Sequence, residues 1–138
     1  MKKIIYALML LSTIILANNT PQNSVVKIFA SISLANYQYP YQTSKIIKYI
    51  GSGAIISENR ILTSAHVASG ARFLEIQKEN DPKKYIATVK YISHQSDLAI
   101  LEVRDKKFFK GTKTLKLNED IHTKDNVTVL GYPLGGSS

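Results

Sequence analysis

From Val25 onward the apolar residues come in short runs and alternations, without a sustained helical repeat of three and four. Val, Ile, Thr and Tyr dominate these runs, and polar turns separate them, a pattern that predicts strands. The predicted strands are Val25–Leu34, Ile46–Ser57, Arg60–Ser64, Arg72–Gln77, Lys84–His94, Leu98–Val103 and Asn126–Leu130. The predicted class is therefore all-β. Short antiparallel strands at this spacing suit one closed barrel of six to seven strands, with alternate side chains inside and no exposed edge. Within Lys84–His94 the alternation puts Tyr85, Ala87, Val89 and Tyr91 on one face, with Ile86 and Ile92 interrupting the polar one. Such interruptions are common where a barrel packs against another body.

Turn chemistry punctuates the same scheme. Glu58-Asn59 can close a tight hairpin, Asn80-Asp81-Pro82 marks the next connection, and Gly70 and Gly111 mark bends. The segment Asn36-Tyr37-Gln38-Tyr39-Pro40-Tyr41-Gln42 is a loop, because its proline breaks strand pairing. Its tyrosines either pack over the barrel mouth or offer a contact surface to another subunit.

The first residues follow a different rule. Lys2 and Lys3 precede a 13-residue apolar run, Ile4 to Leu16, and Ala17 is a small residue at a cleavage position. This reads as a signal peptide over residues 1–17, the alternative being a retained anchor, although the run is short for a bilayer span. Cleavage leaves residues 18–138 and lowers the formal charge from +8 to 16 − 10 = +6. The expected location is exported, in a bacterial periplasm, with no stable membrane anchor after cleavage.

The chain has no cysteine, which excludes a disulfide framework, a thiolate metal site and a thiol nucleophile. The lysines are spread along the alternating segments rather than interleaved with aromatics, so nucleic acid is not expected as a partner. A cationic envelope protein that meets anionic surfaces is a further reading of the charge.

The three histidines, His66, His94 and His122, have dissimilar neighbours and no metal-ligand spacing, so no metal or other cofactor is expected. His66 stands apart. It follows Gly51-Ser52-Gly53-Ala54-Ile55-Ile56 and Ile61-Leu62-Thr63-Ser64-Ala65, where a strand pair ending in small residues can hold an imidazole in one orientation. Asp97 precedes the apolar run Leu98-Ala99-Ile100-Leu101, and a carboxylate at the mouth of a buried strand needs a hydrogen-bond partner. An imidazole N–H would serve, and the carboxylate would then fix its tautomer. The simpler readings are a structural histidine and a turn aspartate.

Those segments, in that order, resemble the N-terminal half of a trypsin-like serine protease of the Deg/HtrA group. Further similarity lies in Val25-Val26-Lys27-Ile28-Phe29, in Asn36-Tyr37 with Pro40-Tyr41-Gln42, in Phe108-Phe109-Lys110-Gly111 and in Gly131-Tyr132-Pro133-Leu134-Gly135-Gly136. These match the plant-type Deg subgroup and its bacterial relatives. The resemblance implies the first barrel of a double-barrel domain, with His66 as general base and Asp97 as its orienting carboxylate. It also implies a nucleophilic serine in a Gly-x-Ser-Gly-Gly segment on a second barrel, so residues 18–138 are expected to be a domain truncated before that barrel and inactive alone.

Ser52, Ser64, Ser137 and Ser138 are poor substitutes for that nucleophile. Ser52 sits on a strand without an elbow, Ser64 is too near His66 in the chain, and the last two have nothing after them to form an oxyanion hole. The implied substrates are unfolded or damaged polypeptides, and the intact relative can form a homo-oligomer. The alternative is a non-catalytic periplasmic barrel that binds extended or unfolded segments without cutting them.

Overall fold

The computed structural model describes residues 21–34, 37–39, 41, 45–57 and 59–132. The proposed signal peptide, Glu58, Pro40 and the residues after Tyr132, including Ser137 and Ser138, lie outside the described residues.

Among the described residues six strands form the fold: β1 (Val25–Leu34), β2 (Lys45–Ser57), β3 (Arg60–Thr63), β4 (Ala71–Lys78), β5 (Lys84–Ser93) and β6 (Leu98–Val103). Between β3 and β4 runs a single helical turn, α1 (Ala65–Ala68). The strands close into an antiparallel barrel in the order β1-β2-β3-β6-β5-β4. Alternation makes this possible, because Val26, Ile28, Ile55, Ile61, Ile76 and Leu101 all point inward and are fully buried. Removing each from water is worth about 1.5–3 kcal/mol. Phe108 plugs one end of the barrel, fully buried and edge-on to Tyr85 and Phe109 at centroid distances of 5.1 and 4.8 Å.

The predicted seventh strand, Asn126–Leu130, is not formed. The barrel closes on itself through the β1–β4 pairing, so no free edge remains for it, and Val127 and Val129 are exposed. The one-face reading of β5 also needs correction. A bulge between Val89 and Tyr91 pairs Val89 with Leu101 but Tyr91 with Ile100. The extra residue switches Tyr91 to the other face, leaving it 61% exposed, while Tyr85 and Ala87 stay buried.

The turns use residues suited to a positive φ. Asn59 closes the β2–β3 hairpin at φ 68°, and Gly70 and Gly111 adopt 66° and 78°. Tyr37 and Tyr41 are almost wholly exposed, so these rings do not cover the barrel mouth.

Candidate active site

The site begins with two glycines on β2. A side chain at Gly51 would lie 2.6 Å from Val67 Cγ1, and one at Gly53 would lie 2.8 Å from both Ile28 Cδ1 and Ile61 Cγ2. The bare backbone at Gly51 lets α1 pack directly on the barrel, with Val67 inward and His66, the preceding residue, outward, and that at Gly53 makes room for the core side chains. Between the glycines, the Ser52 carbonyl accepts a 2.8 Å hydrogen bond from Thr63 Oγ1, which ties β2 to the end of β3 just before α1.

Asp97 meets α1 from the turn before β6, with a left-handed backbone at φ 50°. Aspartate tolerates this conformation better than most residues. Three contacts join it to the helical turn. Its carbonyl accepts from the Ala65 N–H at 3.1 Å, its Oδ1 from the His66 N–H at 2.9 Å, and its Oδ2 lies 2.7 Å from His66 Nδ1.

The His66 backbone N–H is the main cause that holds the Asp97 carboxyl below its ordinary value, and the His66 side chain adds to it. Asp97 is therefore a carboxylate at neutral pH and can only accept. The proton of this contact then sits on Nδ1, and in a neutral imidazole the lone pair falls on Nε2. The side chains are 73% and 51% exposed, so a substrate or a second protein body can reach the pair.

The structure thus brings together the two residues singled out from the sequence. The other histidines lie elsewhere. His94 opens the turn that ends at Asp97, and the His122 N–H binds Asp125 Oδ2. Among the described residues no group of His, Cys, Asp and Glu is arranged to hold a metal ion.

Ser52 Oγ accepts the Tyr132 N–H at 2.7 Å, and Ser64 precedes α1 as its N-cap residue. Among the described residues no serine hydroxyl is hydrogen-bonded to His66. The Ser52–Tyr132 contact was not anticipated. It holds the Gly131-Tyr132 segment against β2, and a side chain at Gly131 would come within 3.1 Å of Ser52 Oγ. Tyr132 OH also bonds Glu79, and burial, then Glu79, pushes the phenol's pKa upward. The Gly-Ser-Gly pattern was the available signal for both tight contacts.

A closed barrel thus carries an exposed histidine hydrogen-bonded to a carboxylate, and comparison with known proteins gives the family. Residues 51–138 match the family profile described as a trypsin-like peptidase domain. "Protease Do-like 4, mitochondrial" from Arabidopsis thaliana is 40% identical over 116 residues, covering 84% of this chain and 22% of that protein. "Serine protease DegP homolog" from Plasmodium falciparum is 35% identical over 112 residues, covering 81% of this chain and 13% of that protein. The chain belongs to the trypsin-like peptidase family and, within it, to the Deg/HtrA group. A solved structure, "HtrA-type protease AlgWS227A with decapeptide", superposes with a TM-score of 0.60 at 20% identity, over 76% of this chain and 36% of that one, a likeness of fold. The chain thus spans about a fifth of the length of its Do-like 4 relative.

Proposed function

We propose that this chain supplies the first barrel of an exported Deg/HtrA-type serine endopeptidase acting on unfolded or damaged polypeptides. His66 is its general base and Asp97 the carboxylate that orients it. The 2.7 Å contact between His66 Nδ1 and Asp97 Oδ2 carries this reading, since it leaves Nε2 free to take a proton from a nucleophile.

The nucleophilic serine and its oxyanion hole are assigned to a second barrel. In support, Val25, Ala54, Leu62, Leu98, Leu115 and Leu130 line an apolar cleft of about 560 Å³ on the outside of this barrel, a surface suited to a packed neighbour. With that neighbour in place, the serine attacks the scissile carbonyl as its proton passes to Nε2. The imidazolium so formed is stabilised by Asp97 and then protonates the leaving amine. The leader at residues 1–17 supports export, and the periplasm is the narrower part of the proposal, because several relatives are named mitochondrial or chloroplastic.

Casein digestion tests the reading. The 138-residue chain alone should leave casein intact, while co-expression with a second barrel bearing Gly-x-Ser-Gly-Gly should give cleavage that His66→Ala abolishes. Cleavage by the chain alone, lost on His66→Ala, would overturn the assignment of the nucleophile. Binding of unfolded casein without cleavage under every pairing would favour the non-catalytic barrel instead.

A further inference from the structure

The segment after β6 carries a charge pattern that the site does not use. Against the expected even spread of lysines, Lys106, Lys107, Lys110, Lys113 and Lys116 fall within eleven residues, around Phe108 and Phe109, with no acidic residue among them. All five are exposed.

Their backbone is firmly held. Asp105 caps the turn by accepting the Lys107 N–H at 3.0 Å, Phe108 is fully buried beneath it, and Thr112 Oγ1 bonds the Phe109 carbonyl at 2.8 Å. Further along, the Leu115 N–H bonds the Ile55 carbonyl at 2.7 Å. Lys106 and Lys110 also line a cleft of about 520 Å³ with Asn59, Phe109, Thr112 and Thr114. Arg60 and Arg104 stand exposed at the adjoining ends of β3 and β6. Of the nearby carboxylates, Asp105 pairs with Lys83 at 3.6 Å and Glu102 with Lys90 at 3.2 Å, while Glu119 and Asp120 lie exposed just after the lysine run.

We propose that this basic end of the barrel is a docking surface for the phosphate headgroups of an anionic lipid membrane. The chemistry favours lipid over nucleic acid. Single strands need exposed aromatic faces for stacking, whereas Phe108 is fully buried and Phe109 half-buried. Flexible ammonium groups on an irregular backbone suit laterally mobile phosphates, each adding about 1 kcal/mol near an anionic surface.

The placement leaves the His–Asp pair accessible. β3 runs from Arg60 at the basic end toward His66, and β6 runs from Asp97 back to Arg104, so the two sites occupy opposite ends of the same strands. A membrane-docked barrel would hold the pair facing away from the bilayer. The inference does not depend on the peptidase reading.

Vesicle co-sedimentation of the processed chain, residues 18–138, tests it, using phosphatidylcholine alone and phosphatidylcholine mixed with phosphatidylglycerol. Binding should require phosphatidylglycerol and fall away between about 0.1 M and about 1 M salt. Lys107→Gln with Lys110→Gln should weaken it about 30-fold, while Lys45→Gln with Lys48→Gln at the far end of β2 should not. Independently of any variant, vesicles should protect Lys107 and Lys110 of the unmodified chain from an acylating reagent and leave Lys45 and Lys48 reactive. Equal binding to both vesicle types, equal loss in the two variant pairs, or protection at Lys45 and Lys48 instead would overturn the proposal. Tight binding of polyphosphate or single-stranded DNA without vesicle binding would overturn the choice of lipid.

Discussion

Gly51→Ala tests how the barrel fixes the helical turn that carries His66. The new Cβ would stand 2.6 and 2.8 Å from the two Val67 methyls and 3.3 Å from Val67 Cβ. Valine is β-branched and stiff, so relief requires moving the turn rather than rotating a flexible end. Overpacking of this kind costs about 1–3 kcal/mol. The backbone at Gly51 is not left-handed, so alanine is otherwise tolerated and should return about 0.4–1 kcal/mol by restricting the unfolded chain. The net loss is then between about 0 and about 2.6 kcal/mol, near 1 kcal/mol at the middle of both ranges. Val67→Ala alone should cost about 1 kcal/mol for a half-buried pair of methyls. In the double variant the two methyl clashes are gone and only the 3.3 Å approach to Cβ remains, so the combined loss should fall below the sum of the single losses by up to about 3 kcal/mol.

Urea unfolding followed by far-UV circular dichroism measures all four proteins, the chain having no tryptophan to report by fluorescence. The Gly51→Ala midpoint should drop by about 1 M or less. Additivity within about 0.5 kcal/mol would refute the reasoning, because it would show that Val67 is not what alanine strikes.

Other expectations follow from single contacts. Asp97 is held below its ordinary pKa in the folded protein, so the stability it contributes is fully present above the unfolded value, about 3.9, and is lost as pH falls through the lower folded value. Because the His66 backbone N–H is the largest cause, His66→Ala should leave the Asp97 carboxyl still depressed in a carbon-13 NMR titration, and a full return to the ordinary value would contradict that ordering. Ser52→Ala removes the acceptor of the Tyr132 N–H and should cost about 1 kcal/mol, with faster hydrogen exchange at Tyr132 and rescue by Ser52→Thr; unchanged exchange would show that the contact does not hold the segment.

Much of the fold was legible because strands have a short period and turns a distinctive chemistry. Six predicted strands coincide with β1–β6 to within a residue at each end. Asn126–Leu130 misled for a physical reason: Val127, Val129 and Leu130 have strand propensity, yet a strand also needs a partner, and the closed barrel has no free edge. The β5 alternation misled in another way, since a bulge at one residue reverses every side chain after it and leaves no compositional mark. At the site, His66 and Asp97 could be picked out by their positions beside apolar strands. The backbone donors of Ala65 and His66 could not, because every residue but proline carries an N–H and only the fold decides where it points.

The His–Asp pair is assembled by one barrel alone. Gly51 admits Val67, Val67 seats α1, and the N–H groups of Ala65 and His66 anchor Asp97 through both its carbonyl and its carboxylate. These two backbone bonds fix the distance between β6 and α1 before the side-chain contact is counted. The imidazole meets a carboxylate that the backbone also holds, so the pair rests on three contacts rather than one. On the proposed reading, a second barrel would supply a hydroxyl within reach of Nε2 and donors for the oxyanion, and the orientation of His66 would come from β2, β6 and the turn between β3 and β4.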